Sequence, residues 1–105
     1  MRKEQLITEI KNFSKSIPRP AEKGTCILMS DKFIQRIMNK GHKCASVQFG
    51  TLDKEIHSWV EVWAEDMPLT LVDFTADQFG TKFPHLIVGT PEEVFKQFSY
   101  EYVSY

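Results

Sequence analysis

Leu6, Ile7, Ile10 and Phe13 recur at helical spacing, while Glu4, Glu9 and Lys11 fall largely on the other side. This pattern predicts an amphipathic helix over residues 3–14. Ile17-Pro18-Arg19-Pro20 ends it, because each proline pushes the residue before it towards extended geometry. A second helical pattern starts at Cys26, with Ile27, Ile34 and Ile37 on one stripe and Phe33 and Met38 beside it. Thr25 stands at its N-cap position, and Asn39-Lys40-Gly41 supplies a basic last turn and a glycine stop. After Gly41 the period falls to two. Residues 43–50 alternate, with Ala45, Val47 and Phe49 on one face and Cys44, Ser46 and Gln48 on the other. Residues 56–64 and 69–75 read as two further strands joined in a hairpin through Glu65-Asp66-Met67-Pro68, and residues 84–88 as a short fourth. Thr90-Pro91-Glu92-Glu93 is a strong helix start, with Thr as cap, Pro in the first position and Glu three residues after the cap. The ending Tyr100-Glu101-Tyr102-Val103-Ser104-Tyr105 reads equally as strand or tail. The fold class expected is α+β: two helices, a small antiparallel sheet and a final helix.

A chain of 105 residues makes one domain. Thirteen Lys+Arg against fourteen Asp+Glu leave a formal charge of −1, which gives no electrostatic basis for binding nucleic acid or an anionic membrane surface. The apolar runs are far shorter than the ~20 residues that span a bilayer. Met1-Arg2-Lys3-Glu4-Gln5 opens a charged amphipathic stretch and has none of the character of a secretory signal. Two cysteines are too few for a disulfide scaffold, so reduced thiols in the cytoplasm are expected, or export by a route that needs no signal peptide.

Cysteine chemistry requires a thiolate, a base to form it and a group to orient that base. Cys26 falls in the first turn of a predicted helix, where the partial positive charge of the helix start favours the ionised thiol. His57 opens the second strand, and Asp73 lies on the strand hairpinned to it. Strand parity places Trp59, Glu61 and Trp63 on the face of His57, and Leu69, Leu71 and Thr75 on that of Asp73. Asp77, four residues on, is the rival for the orienting role.

Gly24-Thr25-Cys26 at a helix start, then His57-Ser58-Trp59-Val60-Glu61-Val62, then Val72-Asp73-Phe74-Thr75-Ala76-Asp77-Gln78-Phe79, resembles the core of the papain-like and transglutaminase-like cysteine enzyme superfamily. The second and third segments are similar to those of bacterial transglutaminase-like peptidases, arylamine acetyltransferases and lasso-peptide leader peptidases. The resemblance covers about half the chain. It implies a nucleophile helix packed on an antiparallel sheet, with Cys26 as nucleophile, His57 as general base and acid, and Asp73 holding the imidazole. It further implies acyl transfer through a thioester, with an amide of a protein or peptide as substrate: a glutamine deamidase or a specific protease, of the kind found among bacterial effectors, toxins and processing enzymes. No cofactor is implied. Pro20, Ala21 and Glu22 stand where papain has a glutamine upstream of its cysteine. An oxyanion hole would then rest on the Cys26 amide and a further donor, for which Gln78 is a candidate. Thr25 and Trp59 are candidates for substrate contact.

Simpler readings compete at each position. Cys44 is expected to be a half-buried structural thiol, and His42 and His85 to lie at the surface. Trp59 and Trp63 are expected to fill the interface between sheet and helix. Cys26, His42, Cys44 and His57 could in number serve zinc, but no Cys-x-x-Cys or His-x-x-x-His spacing joins them, so no metal is expected. A non-catalytic protein-interaction module on the same fold is the alternative function.

Overall fold

Helix α1, Lys3–Lys15, buries Leu6, Ile10 and Phe13, and helix α2, Cys26–Asn39, buries Ser30, Phe33 and Ile37. The structure is a computed structural model that describes residues 1–103. Ser104 and Tyr105, at the end of the ambiguous Tyr-rich segment, lie outside the described residues. The buried stripe of α2 is rotated from the expected one: Ile27 and Met38 are exposed, and Phe33 takes the centre. Its ring meets Phe13 and Phe74 edge-on or tilted, with centroids 4.9–5.5 Å apart, and this aromatic cluster clamps the two helices to the sheet. Glu9, expected on the solvent side of α1, is buried towards α2. There it accepts hydrogen bonds from Arg36 Nε (2.7 Å) and Lys40 Nζ (2.5 Å). The Lys40 and Arg36 contacts hold its carboxyl below the ordinary value against the opposing effect of burial.

The strands are β1 Ala45–Leu52, β2 Glu55–Ala64, β3 Met67–Asp73, β4 Ile87–Gly89 and β5 Tyr100–Tyr102. They form one five-stranded sheet in the order β4-β3-β2-β1-β5, and every neighbouring pair is antiparallel. With helix α3, Pro91–Gln97, the architecture is α+β. Thr90 caps α3 as its sequence predicts, its hydroxyl accepting from the Glu93 amide.

Both faces of the sheet are covered. Val60, Val62 and Val72 pack with α1 and α2, and Trp59 and Leu71 pack with Val94 of α3 and Tyr100 of β5. Central strand β2 is consequently buried from His57 to Val62 on both parities. Trp63, by contrast, is exposed and fills no interface. The hairpin between β2 and β3 is tighter than expected, with Met67 and Pro68 already in strand and a register shift between Val62 and Ala64. Pro68 is tolerated because β4 pairs with β3 only at Leu71–Asp73, so no neighbour on that side needs its missing N–H. At the β1–β2 turn, Asp53 and Lys54 both take positive φ, the conformation of a two-residue hairpin.

Tyr102, Gly50 and His57 lie in one row across β5, β1 and β2. A Cβ at Gly50 would stand 1.9 Å from the Glu101 carbonyl oxygen and 2.7 Å from the Trp59 ring. The absent side chain is what lets the indole lie across β1 and lets β5 close against it. Gly50→Ala is expected to cost roughly 3 kcal/mol, since it overpacks against backbone as well as side chain. Urea unfolding at unchanged slope reads this directly, and a midpoint equal to the wild type would refute the close approach.

Candidate active site

Three elements converge at one end of the sheet: the start of α2 with Cys26, the start of β2 with His57, and the end of β3 with Asp73. The register pairs Val60 with Val72, which places Asp73 diagonal to His57 on the same face. His57 Nε2 donates to Asp73 Oδ2 at 2.7 Å, and both side chains are wholly shielded from solvent. Asp73 Oδ1 accepts the Thr75 amide at 2.9 Å, and Oδ2 also accepts the Tyr100 hydroxyl at 2.5 Å. A carboxylate without water needs such replacements for its lost hydration.

Since Nε2 is engaged, Nδ1 is the imidazole nitrogen left for chemistry, and it is buried with no hydrogen-bond partner. Cys26 lies beside it without a well-formed hydrogen bond, a looseness common before substrate closes a site. Burial acts to raise the Cys26 thiol, but the neighbouring His57 and then Ser58 outweigh it and lower the thiol to about 7. Burial likewise acts to lower His57, but Asp73 and then Cys26 prevail and raise it to about 9. The thiol therefore gives up its proton at a lower pH than the imidazolium does. Both shifts favour the thiolate and imidazolium over the neutral pair.

Cys26 is half-buried and lines a cavity of ≈ 350 Å³ with Gly24, Gln78 and Phe79, and with Asp53, Glu55 and Ile56 of the β1–β2 hairpin. The first turn of α2 carries no side-chain cap. Thr25 holds the N-cap position but sits at φ −95°, ψ 0°, and its hydroxyl turns back to donate to the Glu22 carbonyl at 2.6 Å. An extended backbone would be needed to aim that hydroxyl into the turn. The amides of the first turn are thus not occupied by Thr25, and a developing oxyanion can use them.

Three expectations change. Asp77 does not serve the imidazole: Oδ1 accepts from Arg19 at 3.0 Å and Oδ2 from the Ala21 amide at 3.2 Å. Gln78 accepts the Gly24 amide at 3.0 Å and donates to the Thr75 carbonyl at 3.0 Å, so it anchors the loop ahead of Cys26 instead of offering a free oxyanion donor. Trp59 is 1% exposed and packs behind His57, against Tyr100 and Phe95, out of reach of a substrate. The 3₁₀ turn Ala76–Phe79 therefore works as a fastener for the segment leading to Cys26.

Among the other residues weighed for chemistry, Cys44 is half-buried, and His42 is buried, contrary to its expected surface position, while the His85 side chain is exposed. His42 and Cys44 line a different cavity from Cys26. Among the described residues no cluster of three or more His, Cys, Asp or Glu side chains is arranged to hold a metal ion. No described helix is long and apolar enough to cross a membrane.

The sequence reading missed Arg19, Ser58 and Tyr100. Arg19 bonds the Phe74 carbonyl (2.6 Å), Asp77 and Ser14, tying the proline segment to the end of β3. Ser58 is fully buried beside Cys26, with its hydroxyl unpaired. For Tyr100 a signal existed: Tyr-Glu-Tyr alternation places both phenols on one face of a strand.

Comparison with protein-family models, with curated proteins and with solved structures finds no match to this chain.

The two aspartates separate experimentally. Asp73→Asn is expected to slow alkylation of Cys26 at pH 7, because the imidazolium loses its counter-charge. Asp77→Asn is expected to leave the pH midpoint of labelling in place and lower stability by about 3 kcal/mol, because Arg19 keeps a largely buried charge without its partner. The opposite pattern would make Asp77 the orienting group.

Proposed function

We propose that this chain is a cysteine-dependent acyl-transfer enzyme with a papain-like or transglutaminase-like core, acting on an amide of a protein or peptide. The observation that carries the reading is the buried imidazole held at Nε2 by Asp73 and left unpartnered at Nδ1 beside a thiol lowered to about 7. A buried unpaired nitrogen also occurs at His42, but only His57 combines one with a carboxylate at its other nitrogen and a lowered thiol beside it, and that combination supports a chemical role over a purely binding one.

The Cys26 thiolate attacks the amide carbonyl carbon, forming a C–S bond as the carbonyl electron pair moves to oxygen. Amides of the first turn of α2 hold that oxyanion. Collapse of the adduct breaks the C–N bond, and the Nδ1 proton of His57 goes to the leaving nitrogen. Neutral His57 then takes a proton from water, the hydroxide attacks the thioester, and the acid is released with thiolate and imidazolium restored. A glutamine carboxamide would release ammonia, and a peptide bond would release an amine. The open cavity, with Ile56 88% exposed at its margin, suits a polypeptide lying across the surface.

Iodoacetamide labelling tests this without a known substrate. Cys26 should react well below the ordinary thiol value of about 8.5 and faster than Cys44, and His57→Ala should slow it. Equal, slow labelling of both cysteines would favour the interaction module. On a cleavable amide, kcat/KM should rise through pH 7 as the thiolate forms and fall through about 9 as the imidazolium loses its proton. Cys26→Ala should abolish turnover with the circular dichroism spectrum unchanged; retained activity would refute the assignment.

A further inference from the structure

Asp73 Oδ2 accepts two hydrogen bonds at once, from His57 Nε2 at 2.7 Å and from the Tyr100 hydroxyl at 2.5 Å. We propose that Tyr100 is a positioning residue of the same site, whose hydroxyl shares the Asp73 oxygen with the imidazole and so limits how strongly His57 holds its proton. The inference rests on the acyl-transfer reading and adds to it a fourth member, delivered by the C-terminal edge strand.

The geometry gives the hydroxyl two tasks. With the Thr75 amide on Oδ1, it fixes the rotation of the carboxylate, and with it the plane of the imidazole. It also draws negative charge away from His57, because two charge-assisted donors compete for one oxygen. Tyr100 is 4% exposed, and burial followed by the charge of Asp73 raises its phenol far above the ordinary value, so it stays a donor throughout the working range. Its ring is held by Trp59 at 5.0 Å, by Phe95 stacked at 5.7 Å and by Phe98 at 6.5 Å. The hydroxyl is thus locked where it stands. Such a donor serves a general acid: an imidazolium gripped by an undiluted buried carboxylate would surrender its proton to the leaving nitrogen less readily.

Tyr102 provides an internal control. It lies on the same face of β5, and its hydroxyl donates to a different carboxylate, Glu61 Oε2, at 2.5 Å. The experiment is an NMR titration of the histidine ring nitrogens in the full chain, run in parallel with Cys26 alkylation. Tyr100→Phe is expected to move the His57 titration upward from about 9 by roughly one pH unit, with Asp73 Oδ2 now given wholly to the imidazole. Tyr102→Phe is expected to leave the His57 titration where it is. An unshifted or lowered His57 titration in folded Tyr100→Phe overturns the proposal, as does an equal shift in both variants. If Tyr100→Phe fails to fold, Tyr100→Met, which likewise lacks a donor, supplies the second variant. It too is expected to raise the His57 titration, and an unshifted or lowered value there overturns the proposal. A wild-type His57 that does not titrate near 9, with Cys26 unreactive, would instead defeat the acyl-transfer reading itself.

Discussion

A carboxylate cut off from water governs this molecule. Asp73 ends the strand beside the centre of the sheet, and its two oxygens accept from an imidazole, a phenol and a backbone amide. Each donor comes from a different place in the chain: the start of β2, the C-terminal strand, and the turn that follows Asp73 itself. Burying that charge without all of them would cost several kcal/mol. The fold must therefore bring β2, β3 and β5 to one face, and the sheet order achieves this although β5 pairs only with β1. Gly50 makes the reach possible, because no side chain on β1 stands between β5 and the indole of Trp59.

The sheet's two faces divide the labour. Helices α1 and α2 cover one with an aromatic and aliphatic core, and this packing sets where the first turn of α2 ends up. Helix α3 and the aromatic residues after it cover the other, enclosing His57 and Asp73. Cys26 stands where the helix start meets the strand end, half-buried and next to a cavity, while its partners are sealed. Burial opposes charge on both Cys26 and His57, and it is the Asp73 and Ser58 contacts together with their mutual attraction that outweigh it, while the sulfur keeps access to the cavity.

Much of this was legible in the residues. The helical period located α1 and α2, and β-branched or aromatic content with turn residues located β2 and β3; β1 was found from an alternation that its burial does not follow, since Phe49 is exposed. Capping chemistry located α3 outright. Parity within an assumed hairpin allowed His57 and Asp73 to meet, and the register of β2 on β3 brings them together. What escaped depends on long-range geometry. The choice between Asp73 and Asp77 turned on Arg19, which sits between prolines and carries no pattern that points to its partner. Gln78 looked like a free amide because nothing local shows that Gly24 claims its oxygen. The buried stripe of α2 was misjudged by a part-turn, since isoleucines look like core wherever they occur; only the meeting of Phe13, Phe33 and Phe74 fixes the rotation. Tyr100 escaped because the Tyr-Glu-Tyr alternation of a three-residue strand shows a shared face but not the carboxylate that face meets.

Asp73 and Gln78 lie five positions apart, and between them runs one short stretch of chain. Its first residue steadies the imidazole, and its last two, Asp77 and Gln78, grip the loop that delivers the sulfur. His57 and Cys26 are thus aligned by a common splint, although 31 positions separate them. A local opening of that stretch would loosen the Asp73 contact to His57 together with the Ala21 and Gly24 contacts ahead of Cys26.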